Sequence, residues 1–291
     1  MELVTHEATL RLAIYASVLL LMGLWETLAP LRGATIGRPV RWVSNVGIAA
    51  LDTAIVRFLI PVGVVSAAVL AEEHHWGLFH HLDWPAWLVV VLAVVALDFF
   101  IWLQHLIFHA VPVLWRLHQV HHADLDFDAS TGVRFHPLEM LISLGIKIAA
   151  VSALGAPPAA VVAFEILLSS TAMFNHGNVR LPGWLDAALR LVLVTPDMHR
   201  VHHSIEAHET NSNFGFNLSW WDFLFGTYRA QPHAGHEAMT IGLTAFRDPR
   251  VCRLHWMLLL PFWQRLLTES PQAAAPLKQE TREHAWSGRE E

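Results

Sequence analysis

Residues 84–122 read WPAWLVVVLAVVALDFFIWLQHLIFHAVPVLWRLHQVHH. Between Trp84 and Phe108 the only formal charge is Asp98. A hydrocarbon core needs about 20 apolar residues in helical form, so this stretch is long enough to span a membrane. Its end carries His105-x-x-x-His109, and His118-x-x-His121-His122 follows at once. Asp98, Trp102, His105 and His109 are spaced by four, three and four residues, which puts them on one stripe of a helix. A membrane span that ends in imidazoles predicts a helical membrane protein with a metal site at one face.

Further apolar runs lie on either side. Leu10 to Leu28 and Val46 to Ala71 each reach spanning length, the second interrupted by Asp52 and Arg57. Glu26 and the lack of a small-residue cleavage site mark the first as a retained helix rather than a signal peptide. Leu138 to Leu154 and Ala159 to Phe174 are shorter, and Gly155-Ala156-Pro157-Pro158 between them reads as the turn of a helical hairpin. Lys147 and Glu165 sit at matching depth in this hairpin, and a buried charge needs a counter-charge, so they are expected to pair. Arg253 to Leu267, with Pro261, is expected to lie at the interface, and Ser270 to Glu291 to be a polar, disordered tail. This gives 1–83 as amino-terminal membrane helices, 84–230 as a catalytic core and 231–291 as interfacial segment and tail.

The arginines set an expected orientation. The Leu31–Asn45 loop carries Arg32, Arg38 and Arg41, whereas Glu72–Asp83 and Gly155–Pro158 carry no Lys or Arg. By the positive-inside rule the first loop is cytoplasmic. The histidine clusters then fall on the cytoplasmic side, and the chain beyond Ser204 is expected to remain there.

Of the 291 residues, 54% are hydrophobic and 15% charged, against about 25% charged in an ordinary soluble domain. The net charge of −6 comes with no basic block, so nucleic acid is not an expected partner. Cys252 is the only cysteine, which excludes a disulfide framework and a cysteine-ligated iron–sulfur cluster. There are 20 histidines, more than the 19 lysines and arginines together. A third cluster, His199-x-x-His202-His203, repeats the spacing of the second. Positions i, i+3 and i+4 share a helix face, so each cluster is expected to aim its imidazoles at one point. Eight ligands suffice for two metal ions, and His176, on the returning hairpin, is a ninth candidate. Imidazole suits zinc, copper, iron and nickel alike. A zinc hydrolase would pair about three ligands with a general base, and no His-Glu-x-x-His occurs. A transporter would distribute polar residues along several spans. Asp98 is expected to accept from a ligand's ring N–H.

Several stretches together resemble the fatty acid hydroxylase/sterol desaturase superfamily. They are Asp98…His105-x-x-x-His109, Trp115–His122, Arg134-Phe135-His136-Pro137-Leu138-Glu139, Phe174–Pro182 and Thr195–Ser204. Glu209–Gly215 and Trp221–Tyr228 are similar to its bacterial branch. The resemblance covers Asp98 to Tyr228. It implies an all-α integral-membrane bundle with a cytoplasmic helical cap around a dinuclear histidine site, in a bacterial inner membrane. It implies an enzyme using O₂ and two iron ions, with zinc able to replace iron in purified protein. The implied reaction is hydroxylation of a lipid C–H bond, with desaturation on the same scaffold as the alternative. The ligands carried over are His105, His109, His118, His121, His122, His199, His202 and His203, with His176. His136 either supports a ligand or stabilises the turn into the hairpin. Asp197 tunes ligand basicity, as does Glu209. Asn178, Glu209, Asn211 and Asn213 either orient ligands or serve turns and caps. Trp102, Trp220 and Trp221 line a substrate path or, like Phe223, an interfacial belt. No haem, flavin or nicotinamide fingerprint is present, so electrons come from an external ferredoxin or cytochrome with its reductase. The membrane lipid is the implied substrate, and the oligomeric state has no sequence signal.

Overall fold

A computed structural model describes residues 6–60 and 62–263. Among them every regular element is helical, and the β-type pairings are three isolated bridges. In chain order the α-helices are α1 (Glu7–Leu28), α2 (Arg38–Leu59), α3 (Val64–Glu73), α4 (Ala86–Ala110), α5 (Pro112–His122), α6 (Pro137–Leu154) and α7 (Pro158–Asn175). Shorter ones follow: α8 (Gly183–Leu189), α9 (Pro196–His202), α10 (Ala207–Thr210), α11 (Trp220–Leu224), α12 (Gly235–Ala238) and α13 (Leu254–Trp263). Five stretches are long and apolar enough to cross a bilayer: Glu7–Leu28, Arg38–His81, Ala86–Ala110, Pro137–Leu154 and Pro158–Asn175.

Lipid supplies little hydrophobic drive between spans, so close packing of small residues carries more of the association. The core between α3, α4, α6 and α7 accordingly holds Ala68, Ala93, Ala150 and Ala160 around Leu97, Val161 and Phe164. The hairpin turn forms as expected. Gly155 caps α6 with φ of +66°, and Pro158 opens α7, where a missing N–H costs nothing. A Cβ on Gly77, which has φ of +94°, would come within 2.0 Å of the Gly155 backbone, so this turn packs directly on the α3–α4 connection. Lys147 Nζ pairs with Glu165 at 2.7 Å as expected, and Arg11 of α1 joins the same carboxylate at 2.7 Å.

The structure refines four expectations. The second apolar run is two helices, α2 and α3; a proline at position 61 has no N–H to continue the ladder. The Leu31–Asn45 segment is helical from Arg38 onward. Its arginines are structural: Arg32 donates to the carbonyls of His236, Glu237 and Met239, Arg38 pairs with Glu26, and Arg41 is buried against Asp124 and Asp128. Finally, the Arg253–Leu267 segment is, as far as Trp263, a helix packed on the cap, with Met257 and Leu260 buried beside Val120 and Ile48. Its remainder and the Ser270–Glu291 tail lie outside the described residues.

Candidate metal centre

Nine histidines converge where α4, α5, α7 and α9 meet, and they form two groups. One comprises His105, His109, His118, His122 and His202; the other His121, His176, His199 and His203. Within each, one ring nitrogen per residue lies within 4.8 Å of all the others. The sequence clusters therefore do not each serve one point. Helical residues turn by about 100° each, so i and i+4 diverge by about 40°, whereas i+3 and i+4 diverge by about 100°. The i,i+4 pairs His105/His109, His118/His122 and His199/His203 stay together. The i+3 residues, His121 and His202, cross to the other group.

The outer nitrogens fix the proton positions. His121 Nδ1 donates to the Arg134 carbonyl at 3.2 Å, and His176 Nδ1 to the Ala172 carbonyl at 2.6 Å. A carbonyl only accepts, so each proton is on Nδ1 and each Nε2 presents a lone pair. Those two Nε2 atoms are 3.1 Å apart. His176 Nε2 also lies 3.1 Å from His203 Nε2 and 3.1 Å from His199 Nε2. The five-histidine group repeats the pattern, with 3.0 Å between His105 and His118 and 3.1 Å between His109 and His122. Here His105 Nδ1 donates to Phe214 O at 2.7 Å, His202 Nδ1 to Ser212 O at 2.7 Å and His109 Nδ1 to Asn211 Oδ1 at 3.3 Å. His118 Nδ1 meets Glu139 Oε1 at 2.7 Å, and His202 Nε2 is buried without a hydrogen-bond partner among the described residues.

Lone pairs held face to face, away from water, repel unless a cation lies between them. The donor set fits a metal on this ground. Two nitrogens each about 2.1 Å from one ion and at right angles to each other are about 3.0 Å apart. Protonation does not relieve the repulsion. Burial pushes His118 and His176 down to about 3, with no opposing charge strong enough to restore them. Burial, then the neighbouring imidazoles, holds His121, His122, His199, His202 and His203 well below the ordinary histidine range. The site is a neutral, nitrogen-only cage.

Its walls are apolar. Phe135 stacks on His121 at 4.7 Å and 8°, while Phe214 and Phe216 pack against His105 at 5.6 and 5.1 Å. Behind α5 lies a buried ionic layer. Arg41 donates to Asp124 at 2.7 and 2.8 Å and also binds Asp128 and Thr131. Burial alone would raise Asp124, but Arg41 and Arg134 outweigh it and hold the carboxyl well below the carboxylate range. Arg134 in turn donates to the carbonyls of Val120 and Val251. Its own carbonyl is the one that anchors His121, so this layer fixes that ring.

The remaining predicted residues take varied places. Asn211 contacts a cage histidine. Asp98 does not: it accepts from Asn217 Nδ2, Leu218 N and Trp221 Nε1, all in the loop after the third cluster. His136 accepts from Leu138 N and caps α6, with Nε2 donating to Leu258 O, which is the turn-stabilising role. Asn178 binds the backbone of Arg32, and Asn213, at φ of +53°, binds Met198 O and Arg229 O. Asp197 pairs with Arg200, and Glu209 accepts from His233 N. Trp102 donates to Asp222 and stacks on Phe225 at 4.6 Å, and Trp220 donates to Leu191 O. Two residues had no assigned role. Glu139, three positions after His136, is the acceptor on His118. Asp222 is fully buried and accepts from Phe214 N, Gly215 N, Trp102 and Thr227. Glu139 was visible in the His-Pro-x-Glu run; Asp222 carries no signal that separates it from any aspartate beside a tryptophan.

The fatty acid hydroxylase family model matches residues 90–227, a span that includes all nine histidines. An ornithine lipid hydroxylase of Rhizobium tropici is 27% identical over 237 residues, covering 79% of this chain and 70% of the relative. Human alkylglycerol monooxygenase is 29% identical over 177 residues, 58% of this chain but 36% of the relative. Human cholesterol 25-hydroxylase is 29% identical over 154 residues, 52% of each chain. The chain thus spans about a third of the length of the second relative and about half of the third. No solved structure matches.

Proposed function

From its membership of the fatty acid hydroxylase superfamily, we propose that this integral-membrane protein is an O₂-dependent oxidoreductase that hydroxylates a C–H bond of a membrane lipid. The observation that carries this reading is the pair of histidine groups, with Nε2 lone pairs turned inward at 3.0 to 3.1 Å. His105, His109, His118, His122 and His202 would hold one iron ion, and His121, His176, His199 and His203 the other. Iron bound there supplies O₂ chemistry and one-electron steps that no side chain of the cage can perform.

The chain's own residues contribute geometry and dryness. Carbonyls of Phe214, Ser212, Arg134 and Ala172 keep the protons on Nδ1, so Nε2 stays free to bind metal. Neutral imidazoles add no negative charge, and among the described residues the Glu139 carboxylate on His118 is the acid hydrogen-bonded to a cage ring. Phe135, Phe214 and Phe216 pack on the cage rings and would keep water from the metal side of the site. Electrons are supplied by an external ferredoxin or cytochrome with its reductase. The cage faces the cytoplasm, and the protein resides in a bacterial inner membrane, a reading supported by the arginine-poor far-side loops.

The test is lipid mass spectrometry of a host expressing the wild type beside His121→Ala under ¹⁸O₂. A lipid gaining one labelled oxygen only with the wild type is the expected result. Loss of two hydrogens without label would reassign the reaction to desaturation. No difference, in cells holding iron-loaded protein and a working electron donor, would sink the oxidative reading.

A further inference from the structure

The chain after the third histidine cluster was expected to stay in the cytoplasmic cap, yet one part of it is hydrogen-bonded to the sides of two spans. Asp98 is the central residue of α4, twelve residues from either end. It lies seven residues, about 10 Å, below His105 along the helix. Yet its carboxylate is bound by Asn217 Nδ2 at 2.8 Å, Leu218 N at 3.1 Å and Trp221 Nε1 at 2.8 Å. Asn217 also accepts from Thr171, a full turn inside the cap end of α7. Two independent spans therefore place residues 217–221 beside their membrane-embedded portions, below the level of the cage.

The outward surface of this segment suits such a depth. Residues 214–226, FGFNLSWWDFLFG, carry a single charge, Asp222, and it is fully buried. Leu224 is 70% exposed, and Trp220, Phe223 and Phe225 are exposed with it. Leu191 and Val192 extend the patch, joined to it by Trp220 Nε1 donating to Leu191 O and Ser219 N donating to Val192 O. Phe225 and Trp221 continue onto Phe99 of α4, with ring centroids 6.0 and 5.1 Å away. The patch is thus continuous with the surface of a membrane-spanning helix. Polar residues flank it in sequence: Arg190, just before Leu191, donates to Tyr228 Oη and to Ala230 O, just after Gly226.

We infer that residues 217–225 form a re-entrant wedge, with Trp220, Phe223, Leu224 and Phe225 in the acyl layer of the bilayer. A non-helical backbone at that depth must have its polar groups satisfied by protein. Within the wedge α11 carries its own backbone bonds and Asp98 binds the amide of Leu218, while Asp222 binds those of Phe214 and Gly215 just before it. The inference rests on the spans and these hydrogen bonds, not on the chemistry proposed for the cage.

Spin-label accessibility in the full chain, reconstituted in phosphatidylcholine nanodiscs, tests it. The single native cysteine, Cys252, is buried, so labels report only the introduced sites. Leu224→Cys is compared with Glu237→Cys, whose side chain is 67% exposed on the cap. The expected result is a ratio of O₂ to water-soluble nickel-chelate collisions several-fold higher at 224 than at 237. Phe223→Cys supplies the same reading if Leu224→Cys fails to fold. Equal ratios at the wedge and at 237 would overturn the inference and place the patch in water.

Discussion

The two histidine groups are built from the same ring and the same spacing, but they hang from different parts of the molecule. In the five-histidine group, three rings are anchored by residues 211–214, through Asn211 Oδ1, Ser212 O and Phe214 O, and a fourth by Glu139. In the four-histidine group, His176 is anchored within its own helix and His121 by Arg134. His199 and His203 have no partner on Nδ1 among the described residues. One group depends on a loop clamped by Asp98 and Asp222; the other depends on helices and a buried ionic layer. The lesson is that equivalent ligands need not be equally adjustable. Changes in the loop should reach the five-histidine group first, and changes in the ionic layer the four-histidine group.

The largest effect is expected at His176, whose Nε2 lies within 3.1 Å of three other imidazoles. His176→Ala should abolish lipid oxidation and remove about half of the bound metal, because the remaining five-histidine group keeps its donors. Elemental analysis of purified protein checks this. Loss of all metal would show that the two groups do not load separately.

Acid should act on both groups. Seven cage histidines outside the spans have folded pKa values below their unfolded value, near 3 for His118 and His176. The unfolded chain therefore takes up these protons first as pH falls. Stability is fully present above about pH 6.5 and drains away towards pH 3, by about 1.4 kcal/mol per pH unit for each proton difference. Metal-free protein should thus show a steep fall in thermal midpoint below pH 6.5, measured in detergent. A flat profile from pH 7 to 5 would contradict the buried, neutral cage.

Arg41→Ala separates the groups through stability. It leaves Asp124 and Asp128 buried without their main counter-charge, which typically costs about 3–5 kcal/mol. Thermal unfolding should register the loss, and metal should leave the four-histidine group more readily, through Arg134 and His121. An unchanged midpoint would mean that Asp124 finds enough compensation in Arg134 and Asn45.

Much of this was legible in advance, for reasons that particular residues make plain. Apolar length alone located all five candidate spans, because a bilayer demands about 20 apolar residues per helix. It did not show that Val46–Ala71 divides into two helices, α2 and α3. All nine cage histidines were identifiable from spacing and resemblance, since imidazoles at i, i+3 and i+4 are rare by chance. Their division into two groups was not, because it depends on how four helices meet. The anchors were the least legible part. Backbone carbonyls such as Ser212 O and Phe214 O carry no side-chain signature, and Asp98 turned to the loop that makes those carbonyls available. Arg41, read in sequence as a topology signal, is in space a buried ion-pair partner.

Two substitutions grade the five-histidine group by its anchors. Glu139→Gln keeps the shape beside His118 but removes the carboxylate, and such a change in a partner of a metal ligand typically costs about 10–100-fold in affinity or activity. Asn211→Ala should do less. Its contact with His109 is longer, 3.3 Å against 2.7 Å, and His109 is the less buried ring of the group. Water can replace the lost acceptor there, whereas none of the other anchored rings is open to it. Metal affinity at the five-histidine group should fall by less than about ten-fold, below the typical range for a buried partner. Competition with a chelator, read separately for the two groups, measures both variants. If Asn211→Ala matched Glu139→Gln, the loop rather than the depth of each anchor would set the affinity. The contrast between the two groups would then sharpen into one between a single cooperative loop and fixed helices.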